Sequence, residues 1–177
     1  PPVTLNDTLT FNGLVNSTVA ATTIDTAATV NVNAGITAAT TLDINDATTV
    51  NAATGNTIQT TSGELDIQTN VGTLNITGAD ATLLTIDGNG DAAVLLAAVT
   101  DTANPNLTVN SEGAVNIVSV AMGTGTLTVN VDNDADGTAT GTFGALTAGT
   151  IDISGSANAG PPVTLNDTLT FNGLVNS

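Results

Sequence analysis

Lysine, arginine and histidine are all missing from this chain, so its 16 aspartates and glutamates leave a formal net charge of -16. Nucleic-acid binding requires cationic side chains that displace counterions from phosphates, and docking on anionic membranes requires the same. Composition argues against both partners. Cysteine and tyrosine are missing as well, which leaves carboxylates as the only acids and bases and unassisted Ser and Thr hydroxyls as the nucleophiles. A carboxylate pair can cleave a glycoside, but sugar sites commonly stack rings on aromatic faces, and three Phe are the whole aromatic stock. No enzyme activity is expected.

Without Cys there are no disulfide staples, and the redox compartment stays open. The longest purely apolar run, Ala92 to Val99, falls far short of the ~20 residues a bilayer requires, so membrane insertion is not expected. No charged segment resembling the start of a signal peptide opens the sequence, which reads as mature protein. Charges of a single sign repel one another and are relieved by salt or by bound cations, which suits a setting rich in salt or calcium. Trypsin-like proteases find nothing to cut. An extracellular or cell-surface location is expected on these grounds.

Thr and Asn are abundant, and Ala, Gly, Val, Ile and Leu supply most of the rest, which is strand and turn material. One pattern recurs throughout: an aliphatic residue, one polar residue, a second aliphatic residue, then a turn former. It is seen at Val30/Val32, Leu42/Ile44, Leu65/Ile67, Leu74/Ile76, Leu84/Ile86, Leu107/Val109, Val115/Ile117, Leu127/Val129 and Ile151/Ile153. Such alternation places the aliphatics on one face of a short strand. The doublets follow too closely for helices between them, and Ile24, Val30, Ile36 and Leu42 fall at an even spacing of six. An all-β chain is expected. Asn12-Gly13, between Thr8–Phe11 and Leu14-Val15, has the signature of a two-residue hairpin turn. Asp91 to Val99 fits either a short capped helix or a buried strand.

A sandwich of this length would fill its wide core with several aromatics, whereas a narrow stack of coils needs only small aliphatics. A β-solenoid, like a parallel β-helix, is therefore favoured over a β-sandwich completed by a donated strand. The stretches LTFNGLVNSTVAATTIDTAATVNVNAG and GNTIQTTSGELDIQTNVGTLNITG resemble the repeats of large bacterial beta-strand-repeat and haemagglutinin-like surface proteins. The resemblance implies a right-handed parallel β-helix, secretion, and a role in attachment or in building a surface layer.

The seventeen residues PPVTLNDTLTFNGLVNS occupy positions 1–17 and return unchanged at 161–177, an offset of 160 residues (161 minus 1). In one reading, 160 residues is the period of a tandem array, with 18–160 as the body of one repeat. In another, the segment is a donor strand that completes a neighbour's sheet. Val3, Leu5, Leu9 and Phe11, with their copies Val163, Leu165, Leu169 and Phe171, would then be the seated residues. A third reading is a local duplication that caps the fold.

Asp132-Asn133-Asp134-Ala135-Asp136-Gly137 is D-x-D-x-D-G, whose alternating carboxylates can converge on calcium while Gly allows a sharp turn. It departs from the EF-hand, since Phe143 stands where a bidentate Glu belongs. Asp87, Asn89 and Asp91 form a weaker echo, with a plain turn as the alternative. Thr ladders that could order water need regular rows, and the Thr spacing here is uneven. The function expected is that of a structural subunit of an extracellular filament or surface fibre, self-associating through its shared termini, with calcium as the candidate ion. The alternative is an adhesin module with an unidentified surface ligand.

Overall fold

A computed structural model describes residues 7–19, 21–26, 28–52, 55–68, 72–134 and 139–155, together with the backbone of 4–5, 163–165, 169–171 and 175–176. All regular structure among the described residues is β, and every described strand pair is parallel. The chain winds as a β-solenoid whose faces recur from one level to the next.

The first level holds β1 (Thr4–Leu5), β2 (Leu9–Phe11) and β3 (Val15–Ser17), and the second β4 (Ala21–Thr26), β5 (Thr29–Val32) and β6 (Gly35–Ala38). Above them come β7 (Thr41–Ile44), β8 (Ala47–Asn51) and β9 (Thr57–Thr60), then β10 (Leu65–Ile67), β11 (Thr73–Thr77) and β12 (Leu83–Gly88). The fifth level is β13 (Val94–Thr102) and β14 (Asn106–Ser111), the sixth β15 (Val115–Ala121) and β16 (Thr126–Val131). The seventh is β17 (Gly141–Phe143), β18 (Leu146–Ala148) and β19 (Thr150–Gly155), and the eighth β20 (Val163–Leu165), β21 (Leu169–Phe171) and β22 (Val175–Asn176).

One face is a sheet of eight strands, β3-β6-β9-β12-β14-β16-β19-β22. The other two faces are joined, because the long β13 pairs with β10 through Val94–Leu96 and with β11 through Ala98–Thr102. β15 bridges the same corner, against β17 and β18.

The aliphatic doublets create this stack. Alternation turns each doublet inward, and parallel register then sets like on like: Ile36, Ile58, Ile86, Val109 and Val129 form one interior column. Leu84, Leu107, Leu127 and Ile151 form another. These side chains are buried, and the interior is narrow enough that Phe143 is its only fully buried aromatic among the described residues. The spacing of six from Ile24 to Leu42 carries the chain from one face to the next, through β4, β5, β6 and β7.

Two local expectations give way to this arrangement. Asn12-Gly13 is a corner and no hairpin: β2 pairs with β5 and β3 with β6, both in parallel, so the flanking strands lie on different faces. Gly13 is not among the residues with positive φ that such a hairpin turn would need. Of the two forms open to Asp91–Val99, the strand is found, since Val94, Leu96 and Val99 continue the interior columns of the level beneath.

Candidate functional site

Residues 1–17 and their copy are expected to carry assembly, and each copy is one level of the solenoid. Leu9 lies beside Val30 and Phe11 beside Val32, and both Leu9 and Phe11 are partly buried against the core. Leu5 lies in β1 next to Thr26, while Val3 lies outside the described residues. In the second copy, Val163 pairs with Gly141 and Leu165 with Phe143. Leu169 pairs with Leu146 and Phe171 with Ala148. The set is therefore not one extended donor strand: β1 and β2 stand on separate faces, and the segment contributes three short strands to three faces.

The equivalence is residue by residue, since subtracting 160 turns 163–165 into 3–5, 169–171 into 9–11 and 175–176 into 15–16. From the first level to the eighth, the chain advances a whole number of levels and returns to the same faces: on the second face Leu9 and Leu169 share one column, whereas on the first Leu5 sits on Thr26 and Leu165 on Phe143, and on the third Val15 sits on Ile36 and Val175 on Ile151, each two residues out of register. Outward side chains tie the first level to the second: Asn33 Nδ2 donates to Asn12 Oδ1 at 2.9 Å, Asn31 Nδ2 to Thr10 Oγ1 at 3.4 Å, and the Thr8 and Thr29 hydroxyls lie 3.2 Å apart. Backbone bonds from Asn33 N to Phe11 O and from Ala39 N to Ser17 O, each 2.9 Å, extend the ladder past the strand ends.

Of the first acidic loop, Asp132 is buried with φ 59° and Asp134 is exposed, so these two carboxylates do not share an environment. Asn133 N donates to Ser111 O at 2.8 Å, stitching the loop to the level below. Asp136 lies outside the described residues. In the second loop Asp87 projects outward from β12, the Asn89 amide donates to Thr60 O at 2.7 Å, and Gly90 N donates to Glu112. Asp91 is exposed at φ 56°. This corner is bonded to its neighbours through Thr60 and Glu112. No group of three or more acidic side chains suited to a metal occurs among the described residues.

Composition gave no warning of the acidic pair on the first face. Asp43 and Asp66 are register partners, with Asp25 nearby on β4. Asp43 Oδ2 accepts from Asn45 Nδ2 at 3.3 Å, while the buried Oδ1 atoms of Asp43 and Asn45 find no donor among the described residues. Burial holds the Asp43 carboxyl above its ordinary value. The Asn45 hydrogen bond opposes this, and the charges of Asp66 and Asp25 add to it.

A groove of about 640 Å³ runs along the corner between β2, β5 and the third face, lined by Asn12, Leu14, Asn33, Thr37, Thr57 and Gln59 among others. Its lining is neutral, with amides and hydroxyls around the 68% exposed Leu14. Asn12 and Asn33 each follow an inward doublet, the repeat in sequence that could have located it. On the third face the unevenly spaced Thr57, Thr85, Thr108 and Thr128 align in a single outward column. No protein-family model, curated protein or solved structure matches this chain.

Proposed function

We propose that the chain is a structural subunit of an extracellular filament or surface fibre that grows end to end as one uninterrupted solenoid. The observation that carries this reading is the placement of the two identical segments as whole levels on the same three faces, with Leu9 and Leu169 in one interior column. A repeat that closed at a fractional turn would set its aliphatics against the wrong face; this one closes on a whole turn. Stacked coils bury each other's ends, so stability grows with length. A covalent array and a non-covalent chain of subunits share this geometry. The acid-only surface and the lack of trypsin sites support the extracellular setting.

Strands stack about 4.8 Å apart, and the first and eighth levels are seven steps apart, so each unit adds roughly 34 Å of length. Electron microscopy of a chain carrying the 160-residue unit twice is the test. A smooth rod lengthened by that increment is expected; two beads joined by a thinner link would overturn the reading.

The neutral corner groove favours a second reading, an adhesin module that takes an uncharged polar ligand such as a neutral glycan. A glycan array decides it: binding lost in N33A is expected under this reading, and the absence of any binder removes it.

A further inference from the structure

We propose that the third face binds ice, through a regular array of threonine hydroxyls that the fold leaves without partners of its own. The inference stands on the arrangement of this sheet and does not depend on the fibre reading.

The third face runs as one sheet of eight strands through every level, whereas the other two faces merge through β13 and β15. Thr57, Thr85, Thr108 and Thr128 stand at one register position on four successive strands, which sets them about 4.8 Å apart along the stack. All four are half-buried by the sheet, and none of their hydroxyls bonds another described residue. Two positions further along each strand, about 6.6 Å away, the neighbouring outward column is bonded to itself. Gln59 Nε2 donates to Thr37 Oγ1 at 3.1 Å, Asn130 Nδ2 to Asn110 Oδ1 at 2.7 Å, and Ser154 Oγ to Asn130 Oδ1. One column is held in place by its own bonds, and the other presents free hydroxyls at a fixed repeat.

Such an array fits a partner that is itself a lattice of water. Oxygens on the surface of ice repeat at spacings near those of neighbouring strands, so waters held by successive hydroxyls belong to the crystal as well as to the protein. A bridging water is nearly as good as a direct hydrogen bond. Threonine is also stiff at χ1, so little freedom is lost when the waters freeze in place. Charge would oppose the contact, because ice provides no mobile counterion. Although the chain carries 16 acids, Asp87 and Asp152 are the only ones in the strands of this sheet, and β14 and β16 hold none.

Other occupants fit less well. A glycan surface favours aromatic platforms, and Phe11, Phe143 and Phe171 all lie in strands of the other faces. The three steps from Thr57 to Thr128 span only about 14 Å. A protein seated on that array would bury far less than the ~800 Å² per partner of a stable interface.

The test is ice recrystallisation in a frozen sucrose solution, with the native chain and single variants that crowd one rung each. T108Y and T128Y alter the array. T49Y places the same side chain in an outward position on the second face, between Asn31 and Asn75. The expected result is slowed recrystallisation by the native chain and by T49Y, and its loss in T108Y and T128Y at unchanged melting temperature. Where a tyrosine variant melts lower, T108A removes the hydroxyl without crowding and should also lose the effect. A native chain that leaves recrystallisation unchanged overturns the proposal, as does an equal effect in T49Y and T108Y. Sedimentation covers the remaining occupant: a native dimer that T108Y turns into a monomer gives this face to a second copy and removes ice.

Discussion

Asp43 on β7 and Asp66 on β10 are register partners on adjacent levels, two carboxylates side by side in a chain that owns no cationic side chain to separate them. Like charges opposite one another in a sheet are destabilising, and Asp66 is only 7% exposed. The pair marks where the single-signed charge of the sequence bears hardest on the fold.

A pH dependence follows from that pair. The Asp43 carboxyl is raised by burial, lowered by Asn45, and raised further by Asp66 and Asp25. A carboxyl raised in the fold binds its proton more tightly there than in the unfolded chain. Its contribution is most favourable below the ordinary carboxylate range and is lost as pH climbs through the unfolded and then the folded value. D43N should therefore melt higher than the native chain at pH 7 and show no such advantage at pH 3. Equal melting temperatures at pH 7 would show that the carboxylate is not penalised there.

Glycine substitutions separate corners that touch the level below from corners that do not. A Cβ at Gly144 would stand 1.9 Å from Val118 O, and Gly144 N already donates to Ile117 O at 3.0 Å. Around Gly13 a Cβ would meet nothing within 4 Å. Urea denaturation of G144A should show a loss of about 1–3 kcal/mol, and G13A should stay within about 0.5 kcal/mol of the native chain. A large loss in G13A would restore a turn with positive φ at Asn12-Gly13.

Calcium is best tested against simple screening. With a net charge of -16 and no cation, any salt should raise the melting temperature by weakening self-repulsion. At matched ionic strength, calcium should raise it further through the loop of Asp132, Asp134 and Asp136, and D134N should cancel that increment. A calcium effect no larger than that of sodium would take the ion out of the account. D87N, in the other corner, is the control and should leave the increment unchanged.

The fold was legible in the sequence where local pattern and tertiary pairing coincide. Each doublet from Val30/Val32 to Leu127/Val129 is buried, because a residue that alternates on a strand has only two faces to choose from. The spacing of six named the faces. What local pattern could not show is which strand pairs with which. Leu9-Thr-Phe11 and Val15 flank a turn dipeptide suited to a hairpin, yet their partners are Val30–Val32 and Ile36 on the following level. The Thr column was hidden for the same reason: corners of different length absorb the uneven spacing of Thr57, Thr85, Thr108 and Thr128. Asp43 and Asp66 likewise become neighbours only through the register of β7 and β10. The acidic loop, read from its letters, divides into a buried Asp132 and an exposed Asp134.

Phe143 tests whether the levels are energetically separable. Its side chain is fully buried, with Ile117 beside it on the level below and Leu165 of β20 on the level above. F143A should cost about 3–5 kcal/mol. In a stack where each level contacts only its neighbours, that loss stays local. Hydrogen exchange should accelerate in β15, β17 and β18 while protection in β5 and β8 is retained. Because β17 also receives the second copy of the terminal segment, the same substitution should weaken end-to-end growth before it unfolds the rest. Uniform loss of protection along the whole stack would instead make the solenoid one cooperative unit.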